Sequence, residues 1–107
     1  MIKITVYRNH KRAIYGFKAK NHGDPFVCAG VSALVMNAVN SIERFANEKF
    51  VCDAGQDGGL LELIMPRIKD GGANPTAELL LESMLLGLIN IAQQYPQQML
   101  IIDSSDS

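Results

Sequence analysis

The chain has 107 residues, enough to bury one hydrophobic core and too few for two, so residues 1–107 are read as a single domain. Ten Lys and Arg against eleven Asp and Glu leave a net charge of −1 with no charge block, which argues against a binder of nucleic acid or of an anionic membrane. Apolar residues make up 48% of the chain, too many for intrinsic disorder.

Ile2 to Tyr7 alternates Ile2, Ile4 and Val6 with Lys3, Thr5 and Tyr7, the period of a strand with one buried face. A polar break at Asn9 to Arg12 follows, then alternation from Ala13 to Lys20, and the pair reads as a hairpin. Asn21, His22, Gly23, Asp24 and Pro25 form a loop. From Ala29 to Glu48 apolar residues recur at steps of three and four, which predicts a helix. Lys49 to Asp53 and Leu60 to Met65 read as a second hairpin, with Gly55, Gln56, Asp57, Gly58 and Gly59 as its turn and Cys52 as a core residue. Pro66 to Ala73 is read as loop. Asn74-Pro75 then signals a helix start, because Asn caps and Pro at the first helical position gives up no needed N–H. That helix runs to about Gln94, and Met99 to Asp103 is a last buried strand before a polar tail, Ser104 to Ser107. The predicted fold is α+β in the order ββαββαβ, a mixed, mainly antiparallel sheet with two long helices.

The second helix is apolar around most of its circumference, from Leu79, Leu80 and Leu81 through Leu86 to Ile91 and Ala92. One sheet cannot cover all of these, so a second subunit is expected and the chain is read as a homodimer; the alternative is that the first helix and a loop supply the missing cover. The run Leu79 to Ala92 is broken by Glu82, Ser83 and Asn90 and is read as too short to cross a bilayer, so no membrane partner is expected. Met1 to Arg12 lacks the apolar stretch of a signal peptide. Cys28 and Cys52 are accordingly read as free thiols in a reducing cytoplasm.

Cys28 directly precedes the first residue of the predicted first helix, where backbone N–H groups without intrahelical partners favour a thiolate. His22 lies six residues upstream in the loop feeding that helix, within plausible reach as a base. The same N–H groups suit the oxygen of a tetrahedral intermediate, so the pattern points to acyl transfer. Ser32, one turn further, can bond the sulfur or line a pocket, or simply bond a helix carbonyl. Asp24 can orient His22 or merely stabilise the helix start. Ala29, directly after Cys28, is a further supporting position. Each residue also has an ordinary reading: a cysteine beside an apolar helix is most often an inert small core residue, and a loop histidine is most often a surface residue. His10, His22, Cys28 and Cys52 show none of the paired spacings of zinc modules, and the stretches Gly55 to Gly59 and Gly71-Gly72 lack the lysine and context of phosphate-binding loops. No metal and no cofactor are expected.

The segment Asn21 to Leu34, NHGDPFVCAGVSAL, with Asn40-Ser41-Ile42, Gly87-Leu88, Tyr95-Pro96 and the last apolar strand, resembles the ribosomal-processing cysteine protease family Prp over nearly the whole chain. In that family a Gly-His-Ala motif supplies the histidine and an Asp-Ile-Val-Cys-Ala-like motif the nucleophile, with a serine four residues later; His22, Cys28 and Ser32 match these roles. Asn21 and Gly23 replace the small residues that flank the family histidine, and the loop is shorter. The resemblance implies a cytoplasmic, homodimeric cysteine endopeptidase with Cys28 as nucleophile and His22 as general base and acid. Its implied substrate is the N-terminal peptide of a large-subunit ribosomal protein, or a capsid or scaffold protein in phage relatives. A non-catalytic peptide-binding or ribosome-assembly protein on the same fold is the alternative.

Overall fold

The computed structural model of the protein describes residues 1–55 and 59–105. Ile2–Arg8 forms β1 and Ile14–Lys20 forms β2, antiparallel to it. Asn9 organises their turn: its side chain is buried, donates to the Ile68 carbonyl at 2.7 Å and accepts the amides of Lys11 and Ala13 at 2.8 and 3.1 Å. These three hydrogen bonds offset the cost of burying the amide and specify the turn. After α1 (Pro25–Ser41, continued by a π-helical turn over Ile42–Ala46) come β3 (Val51–Ala54), β4 (Leu60–Ile64), a one-turn α2 (Pro66–Lys69), α3 (Pro75–Gln94) and β5 (Met99–Ser105).

The sheet order is β3-β4-β2-β1-β5, with β5 parallel to β1 and every other pairing antiparallel, in agreement with the α+β expectation. The register brings the start of β1, the end of β2, the start of β4, the end of β3 and the start of β5 to one end of the sheet, since Ile2 pairs with Met99, Lys3 with Lys20, Lys20 with Leu60 and Leu61 with Ala54. The chain leaves β2 at that end and enters α1 there, which places Asn21–Asp24 at the edge of the core.

Ile4, Val6, Phe17 and Leu63 on the sheet pack with Val27, Val31, Val35 and Ile42 from the first helical segment and Leu81, Met84, Leu85 and Leu88 from α3. The two helices lie against each other closely because Gly87 has no Cβ; one there would lie 2.8 Å from Leu34 Cδ1. Residues 25–46 and 75–94 are each long and apolar enough in composition to cross a bilayer, which revises the reading of the Leu79 to Ala92 run alone. Both nevertheless bury one face on the sheet, as core helices do.

Two ion-pair clusters tie the elements together. Arg8, buried in β1, bonds Asp103 of β5 at 2.7 Å and both carboxylate oxygens of Glu82 on α3 at 2.8 and 3.2 Å. Glu48, its side chain only 4% exposed, accepts from Arg67 at 2.8 and 3.2 Å and from Asn74, whose own oxygen caps α3 through the Ala77 amide. The Arg67 guanidinium, and then the Asn74 amide, hold the Glu48 carboxyl below the usual carboxylate range despite the opposing effect of burial. The unfolded chain therefore binds this proton more tightly, so the contribution is complete above the unfolded value of ~4.3 and is lost as pH falls through the lower folded one. Thermal melts of wild type and Glu48→Gln are expected to differ at neutral pH and to converge on acidification. A gap that stays constant to low pH would refute this.

Several boundaries depart from the sequence reading. The first helix begins at Pro25, not Ala29, and its regular part ends at Ser41; Asn47 in a left-handed conformation (φ 50°) follows the π-helical turn and releases Glu48. Pro66–Lys69 is helical rather than loop. Cys52 is exposed rather than core, because β3 is an edge strand. Ser104 and Ser105 continue β5 instead of beginning a tail, while 106–107, like turn residues 56–58, lie outside the described residues.

Candidate active site

Asp24-Pro25 starts α1 as Asn74-Pro75 starts α3. The Asp24 carboxylate accepts the Phe26 amide at 2.9 Å, its carbonyl accepts the Cys28 amide at 2.8 Å, and Pro25 has no amide to offer. Cys28 is consequently the fourth residue of the helix and not the residue before it. The expected array of unpartnered amides around its sulfur is thereby reduced, because the amides of Phe26 and Cys28 itself are already bonded to Asp24.

What reaches the sulfur instead comes from the loop. Side chains on a helix lean toward its N-terminus, so Cys28 reaches back over the cap. There its Sγ accepts the Gly23 amide at 3.2 Å and lies 3.6 Å from the Gly23 carbonyl, to which the thiol donates. The sulfur is thereby held over the start of α1 by the Gly23 peptide, with the Gly23 amide aimed at it.

Cys28, His22 and Ser32 line one cavity of about 280 Å³ between α1 and the end of the sheet. Its wall is largely apolar: Val31, Val35 and Met36 from α1, Ala19 from β2 and Leu61 from β4. His22 is exposed at this cavity, and its carbonyl accepts the Met1 ammonium at 3.3 Å. Asn21, which precedes it, takes a left-handed conformation (φ 74°) and donates its amide to the Gly59 carbonyl at 2.8 Å. Asn tolerates that region better than most residues, which lets it stand where a glycine would otherwise be expected. Asp24 is engaged in the cap, and Ala29 is exposed on α1 outside the cavity lining. The Gly23 amide and carbonyl are the contacts to the sulfur that sequence reasoning misses; the Asp24-Pro25 pair, which starts the helix at Pro25, is the signal that could find them. Among the described residues no group of three or more His, Cys, Asp and Glu is placed to hold a metal ion.

A family model described as cysteine protease Prp matches residues 1–100. The chain belongs to this cysteine protease family. Over 101 residues it is 36% identical to the ribosomal processing cysteine protease Prp of Bacillus subtilis strain 168, across 89% of this chain and 90% of that protein. The fold matches that of the Prp protease of S. aureus in complex with a substrate peptide, with a TM-score of 0.86 at 23% identity over 97% of this chain and 100% of that one. A Streptococcus mutans protein superposes with a TM-score of 0.84 at 28% identity, over 99% and 96% of the two chains. The cysteine protease assignment and the α+β fold read from the sequence both agree with these comparisons.

Proposed function

We propose that the chain is a cytoplasmic cysteine endopeptidase that removes a short N-terminal extension from a large-subunit ribosomal protein, or from a phage capsid or scaffold protein of similar sequence. The observation that carries this reading is the shared cavity: a thiol bonded to a loop amide at the start of α1, with His22 lining the same space. In the proposed reaction His22 takes the thiol proton and the Cys28 sulfur attacks the scissile carbonyl carbon. The tetrahedral adduct then collapses to a thioester as His22 returns the proton to the departing amine. Water, deprotonated by the same imidazole, hydrolyses the thioester and restores the thiol. The chemistry needs side chains and water alone. The wall formed by Val31, Val35, Met36 and Leu61 suits a peptide with bulky apolar side chains near the cleaved bond.

The test is incubation with a peptide spanning the extension and the mature start of the ribosomal protein, followed by mass spectrometry. Two fragments are expected. Stoichiometric binding without fragments would favour the non-catalytic peptide-binding or assembly role instead.

The homodimer is part of the same proposal. With Leu81, Met84, Leu85 and Leu88 of α3 buried, Leu79 and Leu86 remain 69% and 63% exposed one heptad apart, with Ile89 nearby on the same helix. A second copy would cover this stripe. Leu86→Glu is expected to convert a dimer to a monomer in light scattering; wild type running as a monomer at high concentration would overturn the assignment.

A further inference from the structure

Gln98 holds a position that the catalytic reading does not use. It closes the turn between α3 and β5, where its amide donates to the Tyr95 carbonyl at 2.9 Å and its carbonyl accepts the Ile2 amide at 2.8 Å. With the backbone clamped on both sides, its side chain extends to the loop before α1, where Oε1 accepts the Asp24 amide at 3.1 Å across 74 residues of sequence. Gly23 fits against the same side chain: a Cβ there would lie 3.0 Å from Gln98 Oε1 and 3.3 Å from Ile2 Cγ1. Gly23 is therefore seated between Gln98 and Ile2 on one side and the Cys28 sulfur on the other.

We infer that Gln98 is a positioning residue for Cys28: by holding the Asp24 amide it fixes the peptide run through Gly23 and aims the Gly23 amide at the sulfur. This rests on the reading of Cys28 as the nucleophile. Glycine has more backbone freedom than any other residue, so the direction of its N–H must be set by its neighbours. Asp24 is anchored from its C-terminal side by the helix cap, and Gln98 supplies the anchor on its amide. One exposed, neutral hydrogen bond adds little to global stability. Its geometric effect, by contrast, falls on the donor next to the attacking atom, where small displacements are costly in rate.

The test compares Gln98→Met, which keeps length and loses the acceptor, with Gln98→Glu, which keeps an acceptor oxygen. Iodoacetamide labelling at neutral pH, resolved by site in mass spectrometry, reports on Cys28, and exposed Cys52 serves as an internal reference. In Gln98→Met, Cys28 labelling and kcat are expected to fall about tenfold, with KM within about twofold, Cys52 labelling unchanged and the melting temperature preserved. Gln98→Glu should retain most of both activities. Wild-type labelling and turnover in Gln98→Met would overturn the inference, as would a Gln98→Glu variant equally impaired. If the wild-type protein yields no fragments, the protease reading fails, while the Cys28 labelling comparison still decides whether Gln98 acts on the sulfur.

Discussion

Replacing Cys28 with alanine is expected to lower kcat/KM for peptide cleavage by about 10⁴-fold or more, with the fold left intact. Among the described residues lining the cavity, Cys28 is the one that combines nucleophilic character with a donor aimed at it; Ser32 lines the same space without a hydrogen bond to a base or a donor from those residues. The structural cost is small because the sulfur is only partly buried and the Gly23 amide that loses its acceptor sits in a half-exposed loop where water can replace it. Peptide affinity should stay within a few-fold, since the apolar wall is untouched, so binding by titration and cleavage by mass spectrometry separate the two contributions. Cleavage at the wild-type rate by the alanine variant would remove the mechanism altogether.

The fold was legible wherever a residue's own neighbours in sequence decide its environment. The period of two in Ile2, Ile4 and Val6 becomes the buried face of β1, and Asn74-Pro75 becomes the start of α3, with the asparagine oxygen on the Ala77 amide. The same two-residue signature at Asp24-Pro25 reads as loop in the sequence because apolar periodicity there begins later, and the structure starts α1 four residues earlier than that periodicity. Cys52 was misplaced for a different reason. Its apolar neighbours describe a strand, but whether that strand lies at the centre or edge of a sheet depends on pairings with residues far away in sequence, and among the described residues β3 pairs with β4 alone. The helix at Pro66–Lys69 is too short to show any period.

The site shows the same division. Cys28 and His22 could be singled out because they lie six residues apart on the boundary between a loop and a helix, a local fact. The groups that orient them could not: Gln98 reaches Asp24 from the other end of the chain, and Gly59 holds Asn21 from the second hairpin. Such contacts exist only after β2, β4 and β5 have brought their ends together. The four-residue difference in the helix start relative to Cys28 also matters chemically. A cysteine before the helix would face free amides of the first turn; one in the fourth position faces back across the cap, and its donor is Gly23.

His22→Ala is expected to reduce kcat by about 10²- to 10⁴-fold, the range for loss of a positioned general base and acid, with KM little changed. The variant should keep its loop, because no anchor uses the imidazole: the Met1 ammonium bonds the His22 carbonyl, the Asn21 amide the Gly59 carbonyl and the Asp24 amide the Gln98 side chain. Only the imidazole is removed, so the sulfur retains its Gly23 donor and can still attack, but the departing amine loses its proton source. The exposed position of His22 on the cavity wall leaves room for a small base where the ring was, so added imidazole should restore part of the turnover in His22→Ala and none in Cys28→Ala. Full activity in His22→Ala, measured by fragment release, would assign the proton transfers to another group and leave Cys28 as a nucleophile activated by the helix and the Gly23 amide alone.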